Sequence, residues 1–560
     1  MLDLRTLTRR RSLVDPSAGA RRARARHGVV LVLLLLAAAC SGTSSSAAED
    51  TAAPTSTTAA VDAEAVVSTP LGPVRGVRSP LGTTFRAIPY AAAPVGDLRW
   101  RQPREAAPWD GELDATEPGP VCPQLDGTGQ LEAGSDEDCL RLNIDTPRAP
   151  DGPAAEEAAS DLGPPDLPVV VWVHGGGFIE GAANEYDGAR LAAGGDVVVV
   201  TINYRLGALG YLALEGFEDP GSAGMFAVDD IVAALRWVEA NISAFGGDSA
   251  NVTVAGQSAG GINICSLMAT PAAFGLFDRA IVQSGPCTWA RPLDEATEVG
   301  AELAAGLGCT GSGAAVVACL RALPVEDLVA ASPPIPSALG TATWLPVSGG
   351  TTMPRPLPDA IEAREFAEVP VLLGTVHDEG RGEIPSWDTA ENPLDDQRLD
   401  EAFLGIFGDG AAAVAEAYPS GSLTPQERLA RVITDAAFAC PTELTAAALH
   451  AGGVAVYRYE FDLPDNPPVA GGADPGATHN WDLPYVLPAS DDWDDDESAQ
   501  LSARMIGYWS GFAASGVPSA ADAPTWAPYE ISDPVVLELT PGAITPITDF
   551  ATEHHCDLWT

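Results

Sequence analysis

A serine stands between two glycines at residues 256–260, which read Gly-Gln-Ser-Ala-Gly. A short β-branched run, Val252–Ala255, precedes the motif, and an apolar stretch with helical character follows it. In this context the pattern forces the serine onto a sharp turn between a strand and a helix, where larger flanking side chains would clash. Ser258 is therefore the candidate nucleophile. A Gly-Ser turn without chemistry is the alternative for the motif taken alone.

A nucleophilic serine needs a base, and the chain has seven histidines, at residues 27, 174, 377, 450, 479, 554 and 555. Only His377 and His479 lie in loops outside an export signal, a glycine motif, a helical run or the extreme C-terminus. Folds that use this serine turn place nucleophile, acid and base in that order along the chain. The order favours His479 as general base, with Glu379, which follows a strand-like run, as its acidic partner.

Attack by the serine creates a negative oxygen, which backbone amides can stabilise. Residues 174–178 read His-Gly-Gly-Gly-Phe and follow a strand-like run, as in a loop that supplies such amides. We expect the donors to be the amides of Gly176, Gly177 and Ala259. A phosphate-binding loop is the alternative for a glycine-rich turn, but its lysine is missing because the chain contains no Lys.

Short β-branched runs alternate with Ala- and Leu-rich stretches throughout the chain. Residues 169–173, 197–202, 252–255, 280–283 and 369–373 are nearly continuous apolar runs, and 454–461 is a later one. Such runs are typical of parallel strands covered by helices on both faces, and Asp229–Ile242 has helical spacing. The pattern predicts one α/β domain over residues 63–560, a mostly parallel central sheet flanked by helices.

The N-terminus has the composition of an export signal. Arginines at residues 21–26 precede an apolar run at 28–39, which fits a signal core better than a membrane span of about 20 residues. Cys40 follows three alanines, where a bacterial lipoprotein signal places its acylated cysteine. We expect 1–39 to be a lipoprotein-type signal peptide and 40–62 a flexible tether, giving a cell-surface or secreted protein. Cleavage without lipidation and a retained membrane anchor are the alternatives.

Nine cysteines suit an exported protein, in which disulfides can form. Spacing suggests three pairs, Cys122–Cys139, Cys309–Cys319 and Cys440–Cys556. Cys40 is set aside for lipid. Cys265, in an apolar run just after the candidate nucleophile, and Cys287 are expected to be buried free thiols rather than a fourth bridge.

The formal net charge is −47, and it becomes −53 once residues 1–39, with eight Arg and two acids, are removed. So negative a chain excludes nucleic acid as a natural partner. The predicted chemistry uses side chains and backbone amides alone, so we expect neither a metal nor another cofactor, and the family resemblance described next implies a small-molecule ester as substrate. The sequence leaves the oligomeric state open.

Together these motifs resemble the type-B carboxylesterase and cholinesterase-like lipase family, from Val67 to about Trp559. Residues 245–260 fit the family's long nucleophile motif, and 137–143 fit its second motif except at Arg141. The resemblance implies the α/β-hydrolase fold and cleavage of carboxylic esters through an acyl-enzyme. It also implies the triad and the three disulfides given above. An amidase or acyltransferase on the same residues is an alternative. A non-catalytic adhesion protein is another, but it would be expected to lack part of the triad.

Two departures from the family bear on function. Gln257 stands where the family usually has Glu, so a carboxylate beside the base is missing and the pKa of the base is expected to be lower. No aromatic residue lies between Cys122 and Cys139, so the tryptophan that stacks on choline in cholinesterases is absent. The resemblance also places Gly340, Ala342 and Trp344 near the acyl pocket, where the two small residues leave room for longer acyl groups.

Overall fold

The structure is a computed structural model of the chain. It describes residues 64–147, 166–332, 339, 342–421, 423–463, 476–493 and 495–559. The predicted signal peptide, the tether, Cys40 and Gly340 lie outside the described residues.

A thirteen-stranded sheet forms the centre of the described part of the chain. The strands of this sheet and of a separate two-stranded one are β1 Glu64–Thr69, β2 Gly72–Ser79, β3 Gly82–Pro89, β4 Leu113–Asp114, β5 Arg141–Thr146, β6 Leu167–Val173, β7 Val198–Ile202, β8 Gly247–Gln257, β9 Arg279–Gln283, β10 Arg291–Pro292, β11 Val347–Ser348, β12 Val371–Val376, β13 Val456–Phe461, β14 Val536–Thr540 and β15 Ala543–Ile547. Their order is β1-β2-β3-β5-β7-β6-β8-β9-β12-β13-β14-β15, with β4 beside β2, and β10 and β11 form a separate pair. From β7 to β14 in that order all neighbours are parallel.

Helices connect the parallel strands and cover both faces of the sheet. They are α1 Ala189–Gly195, α2 Gly207–Tyr211, α3 Phe226–Asn241, α4 Ala259–Met268, α5 Leu293–Gly306, α6 Ala314–Arg321, α7 Val325–Ala330, α8 Leu357–Ala363, α9 Ile384–Trp387, α10 Asp396–Phe407, α11 Ala411–Ala417, α12 Pro425–Ile433, α13 Cys440–Ala451, α14 Leu483–Val486, α15 Asp496–Ser515, α16 Phe550–Glu553 and α17 Cys556–Trp559. A π-helical turn, Thr434–Ala439, joins α12 to α13. Short 3₁₀ turns occupy Gly96–Leu98, Ala183–Glu185, Pro220–Ser222, Ile242–Phe245, Pro271–Ala273, Glu379–Glu383 and Gly408–Gly410.

The two faces of the sheet carry separate hydrophobic cores, as β6 illustrates. Val169, Val171 and Val173 belong to the core that includes α3 and α4. Val170 and Trp172 belong to the opposite core, which includes α1 and α15. Successive side chains of a strand point to opposite faces, so β6, which is buried on both, has apolar residues at successive positions.

The predicted mostly parallel sheet flanked by helices is present, and every predicted run overlaps an observed strand, although β8 begins at Gly247 rather than at residue 252. The run predicted at 369–373 is displaced toward the C-terminus, and its strand is Val371–Val376. Pro370 has no amide hydrogen for the sheet, whereas Gly374–Val376 continue to pair with Tyr459–Phe461 of β13. The extension brings the end of β12 to within three residues of Glu379.

The disulfides predicted from spacing are present, and the cysteines of each pair have Cα atoms 5.0 to 5.6 Å apart. The prediction of free thiols at Cys265 and Cys287 is wrong, because these residues form a fourth disulfide with Cα atoms 5.2 Å apart. β8 and β9 are adjacent parallel strands, so α4, which follows β8, runs beside the loop after β9. A Cβ placed on Gly261 would lie 3.1 Å from the Cα of Gly285, and this close approach brings the two cysteines together.

A third hydrophobic cluster joins α10, α11, α12, the π-helical turn and α17. Beside it His554 lies between Asp435 of the π-helical turn and Glu460 of β13, at 2.6 Å from Nδ1 and 2.7 Å from Nε2. All three side chains are buried. Burial alone lowers the pKa of His554, but the hydrogen bonds to the two carboxylates outweigh it and raise the pKa to about 10.

His554→Gln should therefore destabilise the protein near pH 7 by about 3–5 kcal/mol, because it leaves two buried carboxylates without a cation. A raised pKa makes this stabilisation complete below the ordinary histidine value and removes it as the pH rises through about 10. Urea unfolding at pH 7 and above pH 10 should show a variant deficit that shrinks at alkaline pH. The exposed neighbour is the control: His555→Gln should cost less than about 0.5 kcal/mol. Equal deficits for both variants would contradict the ion-pair account.

Candidate active site

Ser258 occupies a strained turn between β8 and α4. Its backbone has φ 53° and ψ −123°, a conformation that residues with a Cβ rarely adopt. Its amide donates to the carbonyl of Gln283 in the neighbouring strand at 2.9 Å. A Cβ on Gly260 would lie 2.0 Å from the carbonyl oxygen of Val173, so a glycine is required where α4 passes over β6. The half-buried Ser258 side chain is left at the carboxyl end of the parallel strands.

Glu379 and His479 are brought together by two loops at the same edge of the sheet. Glu379 follows β12, is buried, and accepts the amide of Val376 through Oε1 at 3.1 Å. Its other oxygen, Oε2, lies 2.5 Å from Nδ1 of the half-buried His479. The carboxylate therefore fixes the imidazole with its proton on Nδ1 and leaves Nε2 as the proton acceptor.

Several charged groups set the protonation of His479. Burial lowers the pKa of His479, but the carboxylate of Glu379 outweighs it, with further contributions from Asp482 and Glu383, and the net pKa is raised. Asp482 is buried, and burial raises the pKa of its carboxyl group. Sequence reasoning missed Asp482, although it stands only three residues after the predicted base.

The neighbours that competed for these roles point elsewhere. Asp378 pairs with Arg381, with Oδ1 2.9 Å from Nε. His377 lies near Glu553, with Nε2 3.5 Å from Oε1, and its ring is 6.0 Å from that of His554. His377 is thus part of the ion-pair cluster at the C-terminus.

The loop after β6 lies directly over the serine turn. A Cβ on Gly175 would be 3.2 Å from the Cβ of Ser258, so the loop and the serine are in close contact. Gly176 and Gly177 both have positive φ, 103° and 58°. None of the turn and loop hydrogen bonds among the described residues uses the amide of Gly176, Gly177 or Ala259. The geometry leaves these amides available to a substrate oxygen.

His174 supports the same loop rather than reacting. It is buried, stacks on Tyr204 with ring centroids 4.3 Å apart, and its Nδ1 lies 2.8 Å from the carbonyl of Gly175. Burial lowers the pKa of His174 to about 4, so the ring is neutral near pH 7. The hydroxyl of Tyr204 donates to the His174 carbonyl at 2.8 Å, which fixes the start of the loop.

A cavity of about 210 Å³ lies beside this loop. Its walls are mostly apolar and include Ile179, Leu206 and Leu328, with Asp126 and Glu180 as acidic groups. Of the residues assigned to the acyl pocket, Ala342 and Trp344 are buried. The indole nitrogen of Trp344 has no hydrogen-bond partner among the described residues.

The sequence and the fold match known proteins over nearly the same range. The model of the family described as "Carboxylesterase family" matches residues 63–559. Para-nitrobenzyl esterase of Bacillus subtilis is 35% identical over 495 residues, covering 84% of this chain and 94% of that protein. Human carboxylesterase 3 is 33% identical over 521 residues, covering 86% and 88% of the two chains. A solved structure titled "PNB esterase" superposes with a TM-score of 0.74 at 33% identity, covering 88% and 99%.

The chain belongs to the carboxylesterase family. Its sheet and helices are those of the α/β-hydrolase fold, as the resemblance implied. This carboxylesterase is a type-B carboxylic ester hydrolase of the serine hydrolase class.

The two acids of the 378–379 loop give a direct test of the site. In Glu379→Gln the amide group must face either the Val376 amide or the protonated Nδ1 of His479, so one of these two hydrogen bonds is lost. The kcat should fall roughly 10³- to 10⁴-fold, whereas Asp378→Asn, which weakens a partly exposed ion pair, should cost less than about tenfold. Steady-state kinetics on p-nitrophenyl butyrate separates the two variants. Equal losses, or a larger loss at Asp378, would contradict the assignment of Glu379.

Proposed function

We propose that Ser258, Glu379 and His479 carry out ester hydrolysis in this enzyme. Support comes above all from the 2.5 Å contact between Glu379 and His479, which leaves Nε2 as the acceptor nitrogen at the edge of the sheet where Ser258 is presented. Oγ of Ser258 attacks the ester carbonyl carbon while Nε2 takes its proton. The protonated imidazole then gives that proton to the departing alcohol, and the acyl group stays on Ser258. A water molecule, deprotonated by the same nitrogen, releases the acid and regenerates the serine.

The negative oxygen of each tetrahedral intermediate is assigned to the amides of Gly176, Gly177 and Ala259. The first two belong to the loop that touches Ser258, and the third is at the start of α4. One such donor contributes roughly 3–4 kcal/mol to the transition state in comparable sites. The positive φ of Gly176 and Gly177 supports this role, since it turns the peptide groups in a way that residues with side chains rarely allow.

Neutral esters with apolar acyl groups are the proposed substrates. The cavity beside the loop at residues 174–178, which we call the oxyanion loop, has mostly apolar walls. The first disulfide loop has no aromatic side chain to hold a quaternary ammonium group. One relative is named para-nitrobenzyl esterase. The small residues Gly340 and Ala342 are proposed to leave room for acyl chains longer than acetyl.

We further propose that the enzyme is exported, with 1–39 as signal peptide, 40–62 as tether and 63–560 as the folded domain. Four disulfides among the described residues are compatible with an oxidising compartment. Acylation of Cys40 would anchor the enzyme to a membrane surface. Mass spectrometry of the mature N-terminus distinguishes a lipidated Cys40 from plain cleavage.

Covalent labelling tests the nucleophile. An organophosphate such as paraoxon should phosphorylate Ser258, because the reagent imitates the acyl transfer step. Peptide mass spectrometry should find the adduct on this residue, and Ser258→Ala should be neither labelled nor active on p-nitrophenyl butyrate. A label on another residue, or activity retained by Ser258→Ala, would overturn the proposed mechanism.

Chain-length preference tests the acyl pocket. Butyrate to hexanoate p-nitrophenyl esters should exceed acetate in kcat/KM, since each well-packed methylene adds ~0.8 kcal/mol of burial. Ala342→Phe should reverse this order by filling the space while leaving acetate turnover little changed. Matched p-nitroanilides measure amidase activity in the same assay. A wild-type preference for acetate, or an unchanged order in Ala342→Phe, would remove Ala342 from the acyl pocket.

A further inference from the structure

The side chain of Gln257 lies between the oxyanion loop and the proposed base. It is 2% exposed, although it immediately precedes the nucleophile. On one side a Cβ at Gly175 would lie 2.7 Å from its Oε1. On the other side its Nε2 is 3.1 Å from Nε2 of His479. The amide thus contacts the nitrogen that must accept the proton of Ser258.

The hydrogen-bond pattern fixes which partner donates. Nδ1 of His479 faces a carboxylate oxygen of Glu379 at 2.5 Å, so Nδ1 carries the proton and Nε2 of the neutral ring has a lone pair. An amide NH₂ group can donate to that lone pair, whereas an amide oxygen would face it with lone pairs of its own. Among the described residues, no hydrogen bond joins Ser258 to His479, and Gln257 holds the acceptor position.

We propose that Gln257 is a positioning residue for the base: its side-chain amide donates to Nε2 of His479 and holds the imidazole in the neutral tautomer that accepts the serine proton. The inference rests on the proposed function of Ser258 and His479. When substrate binds, the hydroxyl of Ser258, the next residue in sequence, must then replace the amide of Gln257 as the hydrogen-bond donor to Nε2.

The hydrogen bond has a defined consequence for pH dependence. Only the unprotonated Nε2 can accept from the amide, so the bond stabilises the neutral ring and opposes the rise in the pKa of His479 caused by nearby acids. The acids that raise it are Glu379, Asp482 and Glu383, and they are the same in every variant at position 257. A carboxylate at this position would instead accept from the protonated Nε2 and stabilise the imidazolium.

The test compares Gln257→Glu and Gln257→Met, which are close in size to glutamine. Below the pKa of the base, kcat/KM decreases as the pH is lowered. The position of this decrease, the acid limb of the pH profile, reports the pKa of the base in the free enzyme. With p-nitrophenyl butyrate, Gln257→Glu should move the limb to higher pH by about one to three units. Gln257→Met, which loses the donor without adding charge, should move it up by about 0.4 to 1 pH unit. Gln102 is exposed, and its side-chain amide donates to Oγ of Ser222. Gln102→Glu is therefore the charge control and should leave the limb in place.

The methionine variant decides the outcome. If the acid limb of Gln257→Met coincides with that of the wild type, the proposed hydrogen bond is overturned. This holds even if the limb of Gln257→Glu shifts, because a carboxylate at this position acts through its charge alone. For a variant too slow to assay, the pH at which the Nδ1 proton resonance of His479 titrates gives the same comparison. Wild-type enzyme that is not labelled at Ser258 by paraoxon overturns the proposed function and this inference together. Labelling with unchanged limbs overturns only the role of Gln257.

Discussion

The close approach of α4 to β6 is the constraint on which the rest of the site depends. A Cβ at Gly256 or Gly260 would lie 2.6 Å or 2.0 Å from the carbonyl oxygen of Val173, so the chain can turn here only with glycine at both positions. The turn holds Ser258 at positive φ and directs the chain into α4. Because β6 leads directly into the glycine loop at 174–178, the same contact places that loop over the serine.

Cationic side chains are scarce in this acidic chain, and several of them pair with buried carboxylates. With 30 basic and 77 acidic residues, several buried carboxylates are matched to an Arg or His rather than left alone. Arg205 and Asp230 form a buried pair at 2.7 Å, and His554 joins Asp435 to Glu460. Such pairs contribute little net stability, but breaking one is costly because it leaves an uncompensated charge. Glu379 is matched differently, because it accepts a hydrogen bond from Nδ1 of the neutral His479 ring, and this bond orients the imidazole.

The residues of the proposed site come from two parts of the fold, the parallel sheet and the third hydrophobic cluster. Ser258 and the oxyanion loop belong to the parallel core, where β6 and β8 are adjacent. His479 contacts the third hydrophobic cluster instead, since its ring centroid is 5.0 Å from that of Phe438. The geometry of base relative to nucleophile therefore depends on how this cluster packs against the sheet, and the Cys440–Cys556 disulfide ties the cluster to the end of the chain.

The sequence by itself determined the features that local geometry requires. The serine turn, the glycine loop and the apolar strands are each encoded within about ten residues, and the chain order of the motifs selected His479 and Glu379 for the positions where the structure joins them. Tertiary structure decided the contacts between segments far apart in the chain. The bridge between Cys265 and Cys287 exists because β8 and β9 are neighbours, and Gln257 meets His479 across 222 residues. A local pattern specifies which faces are apolar, but it does not specify which strands become neighbours, and that order decides which polar side chains meet.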